Sequence, residues 1–258
     1  MTRRSMLGNL LLGALAGTLP GGQLSAASPR PSSQINPVDE RIAALARQIT
    51  SGERSTRDRA IAVHRWVRDE IRFGLSADFY ATTDVDVLRE RIGYCNSKVL
   101  IFCSLLAAAG LPYRIRFIDL SASVLRGLFS PGTAYVDHAV TEVGLDGAWI
   151  ATDSYIVDAA LESAARERLQ QEGATVGYGI HLAGNSDWDG RQASFIQAVP
   201  GSGPAGYIAR DHGLFLDPLD FYAGVSDARN RRTWVTGLAI RLSAGGINRQ
   251  IDEIRRRA

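Results

Sequence analysis

The dipeptide Asp146-Gly147 limits the fold of this chain more than any other feature. It separates two segments that alternate in polarity, residues 134–145 and 148–153. A two-residue Asp-Gly loop closes a β-hairpin because both of its residues accept the positive φ that a tight turn with the right twist needs. Loop length then sets the register. With Leu145 opposite Ala148, Val140 stands opposite Asp153, and His138 becomes the diagonal neighbour of Asp153 on the same face, about 7–8 Å away between Cα atoms. A loop longer by one residue would turn His138 to the other face. Asp137 points the opposite way.

An apolar helix precedes this hairpin. Residues 96–109 contain no Gly or Pro, carry Val99, Phe102, Cys103 and Leu106 at helical spacing, and stop at Gly110 and Pro112. Residues 113–119 alternate as a further strand. The two cysteines of the chain, Cys95 and Cys103, both belong to this helical segment. Eight helical residues rise about 12 Å, and a disulfide needs Cα atoms within about 7 Å, so they cannot pair while the helix exists. Cys103 lies inside the apolar stripe and reads as a small core residue. Cys95 continues the stripe to the first turn, where unpaired N–H groups and the helix dipole favour a thiolate. That position predicts a pKa below the ordinary thiol value of about 8.5. Lys98, one turn on, is the single lysine among 29 basic residues. It reads either as a solvated helix residue or as a cation that steadies the thiolate or meets a substrate carboxylate.

Composition narrows the setting. A chain of 258 residues, 45% hydrophobic and 22% charged, can bury one sizeable core, which excludes a disordered tail and a small disulfide scaffold. The net charge of +2 is carried by Arg3 and Arg4, and the balanced remainder gives no case for nucleic acid or an anionic membrane surface. Residues 1–27 read as a signal peptide of the twin-arginine type. Arg3-Arg4 precede an apolar run, 6–19, too short to span a bilayer, and Ser25-Ala26-Ala27 supply the small residues of a cleavage site. Residues 28–37, rich in Ser and Pro, read as a linker. The expected partner is therefore the twin-arginine export machinery, and the expected location is periplasmic or secreted, without stable membrane insertion after cleavage. His64, His181 and His212 lack ligand spacing, so no metal is expected. Gly177-Tyr178-Gly179 and Gly245-Gly246 do not follow a strand and open a helix, so they read as turns, and no cofactor is expected.

A thiol, an imidazole and a carboxylate in this order suit nucleophilic acyl chemistry. The thiolate attacks a carbonyl, the imidazole carries the proton to the leaving group, and the carboxylate fixes the imidazole tautomer.

These segments carry a resemblance. Gly93-Tyr94-Cys95 with its apolar helix, Asp137-His138-Ala139-Val140 and Ala151-Thr152-Asp153 resemble the nucleophile, His and Asp segments of the transglutaminase-like superfamily. The helix expected over 56–72, with Ala60, Val63, Trp66 and Val67 on one face, resembles the helix that precedes them. The resemblance implies a papain-like α+β fold, with the Cys-bearing helix packed on an antiparallel β-sheet and a catalytic core over 38–160. It implies Cys95 as nucleophile, His138 as general base and acid, and Asp153 as orienter, with the Cys95 backbone N–H as an oxyanion donor. Lys98 and Tyr94 are the candidate substrate-binding or thiolate-stabilising residues. The implied substrate is a peptide or protein amide, cleaved or transferred through a Cys95 thioester. Asn96-Ser97-Lys98 and Ala139-Val140 depart from the common family pattern and leave the acyl acceptor open. The alternative is a non-catalytic binding module for cell-wall or protein partners.

Residues 161–258 read as a mostly helical, loop-rich C-terminal extension packed on the core. Helices are expected over 159–172, 230–242 and 247–257, Gly-rich loops over 173–204, and a turn or short helix at 217–222. Tyr178 and Trp188 are expected to cap a cleft.

Overall fold

Local capping starts most of the helices. The computed structural model describes residues 33–76, 78–79, 81–202, 206–224 and 234–256, with backbone alone over 234–240. The signal-peptide reading of 1–27 lies outside the described residues. Asp39 accepts the Arg41 N–H at the head of α1 (Glu40–Ile49), and Ser55 accepts the Asp58 N–H at the head of α2 (Thr56–Glu70). The chain turns extended at Ile71, so α2 ends short of the expected residue 72 and passes into β1 (Arg72–Phe73). A reciprocal Thr83–Asp86 cap opens α3 (Asp84–Glu90), and β2 (Ile92–Gly93) pairs parallel with β1. Both α1 and these short pieces escaped the sequence reading.

The helix that bears Cys95 is α4 (Cys95–Ala108), and every residue from Asn96 to Leu106 is buried. One apolar stripe therefore understates it. Leu100, Ile101 and Leu105 are apolar too, and a helix apolar on all sides belongs in the middle of a fold. Val99, Leu100 and Cys103 pack on Ile115, Phe117 and Ala139, while Phe102, Leu105 and Leu106 join Ile42, Ala46, Val63 and Val67 of α1 and α2.

The sheet beneath α4 contains β3 (Tyr113–Ser121), β4 (Tyr135–Leu145) and β5 (Ala148–Thr152). Asp146 and Gly147 have φ of 50° and 81°, and Leu145 pairs with Ala148, as the loop length requires. After β5 come α5 (Ala159–Gln171), a small hairpin of β6 (Val176–Gly177) and β7 (Ile180–His181), and β8 (Ile208–Phe215). The sheet order is β5-β4-β3-β8, all antiparallel. Sequence alternation did not reveal β8 because it is a largely exposed edge strand whose register with β3 shifts twice. The far face of the sheet, with Ile118, Leu120 and Val140, is covered by Val124, Ala198 and Tyr207.

Two expectations for the termini are corrected. The linker reading of 28–37 fails for its described part, because Ile35 is buried and Gln34 bonds Thr82 O at 2.8 Å and Asp217 Oδ2, through its backbone N–H, at 2.9 Å. Ser and Pro content does not reveal which groups have found partners. After α6 (Pro218–Gly224), one helix, α7 (Trp234–Arg255), replaces the two expected over 230–242 and 247–257. Gly245-Gly246 is helical and not a turn. Glycine weakens a helix by about 1 kcal/mol per residue, which does not stop one whose later turns bury Ile251 and Ile254.

Candidate active site

The site forms where one strand outruns its neighbour. β5 stops at Thr152, opposite Thr141, while β4 continues to Tyr135. The narrow pair Leu145–Ala148 closes the hairpin, so the odd-numbered residues of β4 direct N–H and C=O toward β5. Beyond Thr152 those groups at Asp137 and Ala139 have no strand to meet. Cys95 fills the gap. Its Sγ lies 3.9 Å from Asp137 O and accepts from the backbone N–H groups of Ala139 and Asn96. The thiol thus sits on the sheet edge, between the face that α4 covers and the face that carries His138.

A glycine makes this entry into α4 possible. A Cβ on Gly93 would stand 2.8 Å from Ser97 Oγ and 3.0 Å from Lys98 Cγ. The Ser97 hydroxyl uses that space to accept the Tyr94 N–H at 2.8 Å, which satisfies a donor at the helix start.

His138 and Asp153 meet as the hairpin register predicts, with Nε2 2.8 Å from Oδ2 and both side chains buried. That bond leaves Nδ1 as the ring nitrogen able to serve the thiol. Asp153 is held by more than histidine. Oδ1 accepts the N–H of Ile196 at 2.6 Å and of Gln197 at 3.3 Å, and Oδ2 accepts the N–H of Ala198 at 2.8 Å. A bridge from Thr152 to Ser194 brings this segment alongside β5. Sequence reasoning missed it because backbone donors leave no side-chain signature. The cleft-capping reading of Tyr178 and Trp188 is corrected by the same region. Trp188 is buried beside His64, Tyr178 packs with Leu128 and Ile180 and bonds Glu172, and the residue of this extension that reaches the cavity is Gln197.

Cys95, His138 and Tyr94 line one cavity of about 110 Å³. Tyr94 stacks on Phe79, with ring centroids 4.1 Å apart and planes within 4°. The expected low thiol pKa is corrected. Burial, and then the Asp137 carboxylate, push Cys95 well above the ordinary thiol range, against the opposing N–H groups of Asn96 and Ala139. Asp137 itself is bonded by Asn96 and Tyr222, a cluster that sequence reasoning did not single out.

Lys98 is neither solvated nor at the cavity. It is fully buried, and its Nζ donates to Ile71 O at 2.5 Å. The i, i+3 spacing alone would leave Lys98 near the face of Cys95, but its long side chain runs to the end of α2 at Ile71 and does not line the cavity. Burial lowers its pKa to about 7. Its earlier reading as a thiolate stabiliser or substrate contact is replaced by a structural one.

The arrangement brings a thiol, an imidazole fixed by a carboxylate, and a cavity into one place. Residues 43–154 match the transglutaminase-like superfamily. Among curated proteins, none matches the chain. Two solved structures are similar in part. One is a "putative cysteine protease" from Cytophaga hutchinsonii, 19% identical with a TM-score of 0.38, over 47% of this chain and 38% of that one. The other is a "putative protease" from Parabacteroides distasonis, 12% identical with a TM-score of 0.33, over 43% of this chain and 22% of that one. This chain thus spans well under half the length of either. The segment 43–154 that matches the transglutaminase-like superfamily contains Cys95, His138 and Asp153.

Proposed function

We propose that the protein is an exported cysteine hydrolase or acyltransferase that acts on peptide or side-chain amides through a Cys95 thioester. The observation that carries this reading is the His138–Asp153 bond beside a cavity that Cys95 shares. Burial raises the pKa of the Cys95 thiol, and His138 acts as general base during attack. Sulfur bonds to the amide carbon as the thiol proton passes to His138 Nδ1. His138 then protonates the departing nitrogen, the C–N bond breaks, and a thioester remains. Water, or an amine in the acyltransferase case, attacks the thioester, gives its proton to His138, and releases the acid or new amide with the Cys95 thiol restored. The Cys95 backbone N–H stabilises the oxyanion of both tetrahedral intermediates.

Iodoacetamide with mass-spectrometric readout tests the chemistry. Cys95 is expected to label well ahead of the fully buried Cys103, and His138→Ala to slow that labelling about tenfold or more. Equal Cys95 rates in wild type and His138→Ala would overturn the reading in favour of the binding module.

Export rests on Arg3-Arg4 and Ser25-Ala26-Ala27. A bacterial host expressing the full chain is expected to release a form beginning near Ser28, and replacing both arginines with lysine is expected to block its release. Unchanged release of the Lys-Lys variant would exclude the twin-arginine route.

A further inference from the structure

We propose that the cavity beside Cys95 is a subsite for a branched aliphatic group attached next to the scissile carbonyl, with leucine as the fitting side chain. The proposal deepens the thiol-acyl reading and rests on it.

Three observations carry it. The first is lining. Cys95 and His138 both line the cavity, and its other walls include Phe73, Leu75, Leu120, Phe129 and Val136. Three of its polar lining side chains are each bonded outside it through one atom. Gln197 Nε2 donates to Gly179 O at 2.7 Å, His138 is bonded to Asp153, and the Asp137 carboxylate is bonded to Asn96 and Tyr222. The lining is overwhelmingly apolar, so a charged or amide-bearing substrate side chain would be desolvated there with few partners, which disfavours it.

The second is size. An apolar cavity of roughly 150 Å³ takes a benzene molecule. The present space of about 110 Å³ suits the four carbons of an isobutyl group.

The third is pre-organisation. The wall at Phe73 and Leu75 does not rely on packing alone to stay open. Asn248 of α7 grips Leu75 on both sides, accepting its N–H at 2.9 Å and donating to its carbonyl at 2.8 Å. Phe73 donates its N–H to Asp158 at 2.9 Å and accepts from Arg255 of α7 at 2.6 Å. A cavity held in its bound shape loses less affinity to ordering when a ligand enters.

The test uses acetyl-aminoacyl chloromethyl ketones bearing Leu, Asn, Gly or Phe, with labelling of Cys95 followed by intact mass. Sulfur displaces chloride, an S–CH₂ bond forms, and the thiol proton passes to His138. The Leu probe is expected to label about 10²-fold faster than the Gly probe, from burial of four carbons, and faster than its near-isostere Asn. Equal rates for Leu and Asn would overturn the subsite. If neither these probes nor iodoacetamide labels Cys95, it is the thiol-acyl reading that fails. Val136→Phe, which fills the cavity, is expected to bring the Leu rate down to the Gly rate, and a Leu preference that survives in the folded variant would overturn the location. Val136→Ala, the variant to use if Val136→Phe does not fold, is expected to raise Phe relative to Leu, and an unchanged ratio would likewise overturn it. A probe of the same carbon skeleton without the acetylamino group separates the two sources. Slower labelling identifies an amino-acid side chain, and equal labelling a plain branched acyl chain.

Discussion

Asp153→Asn is expected to lower kcat/KM, or the His138-dependent labelling rate of Cys95, by about 10³–10⁴-fold. The carboxylate accepts four hydrogen bonds, three of them from the backbone of Ile196, Gln197 and Ala198. An asparagine offers one oxygen and one NH₂. With the NH₂ at the Oδ1 position, two buried N–H groups face a donor. With the NH₂ at the Oδ2 position, Ala198 N–H faces a donor, and His138 Nε2 must become an acceptor. The second arrangement moves the ring proton to Nδ1, so the nitrogen that should take the thiol proton already holds one. Leaving buried donors unpaired costs about 1–3 kcal/mol each, so the variant is also expected to unfold at lower denaturant. Activity within tenfold of wild type would remove Asp153 from the mechanism. A loss of stability with activity retained would make it a structural residue only.

Arg255→Leu is expected to destabilise the protein by about 3–5 kcal/mol, the scale for removing one partner of a buried ion pair. Arg255 makes bonds of 3.0 and 2.6 Å to Asp158, and both side chains are largely buried. Burial alone would raise the Asp158 carboxyl. The hydrogen bonds and charge of Arg255, with the Phe73 N–H, outweigh it and hold the group below the ordinary 3.8. A carboxyl depressed in the folded state contributes stability above its unfolded pKa and loses it as pH falls through the folded value. Without Arg255, burial is opposed only by backbone N–H donors and the charge of Lys98, so the deficit of the variant should be largest near neutral pH and shrink in acid. Urea unfolding of both proteins near neutral pH and in mild acid checks this, and a deficit independent of pH would refute the electrostatic account.

Lys98, which feels the charges of both Asp158 and Arg255, responds with a slope of the same sign in a higher pH window. Its pKa falls from 10.5 to about 7 on folding, so between those values the unfolded chain binds more protons and stability rises with pH. Lys98→Met should flatten that rise. It should also gain about 1–3 kcal/mol near pH 7, the relief of a buried cation exceeding the loss of the bond to Ile71 O.

The sequence by itself determined the features set by local chemistry and short periods. Asp146-Gly147 specified the turn, the turn specified the register of β4 and β5, and a period of two put His138 and Asp153 on one face. Likewise, Gly110 and Pro112 ended α4, and helical rise kept Cys95 and Cys103 apart as free thiols. The tertiary structure alone decided what surrounds those residues. Cys95 took the open edge of β4 because β5 stops at Thr152, and this enclosure, together with Asp137, reversed the direction of its expected pKa shift. Lys98 ended under Ile71, Asp153 gained its donors from residues 196–198, and α7 came to brace the cavity wall through Asn248 and Arg255. Each of these joins segments far apart in the chain, several through backbone N–H and C=O groups that every residue carries. Such contacts leave no pattern in the order of side chains and exist only once packing has brought the segments together.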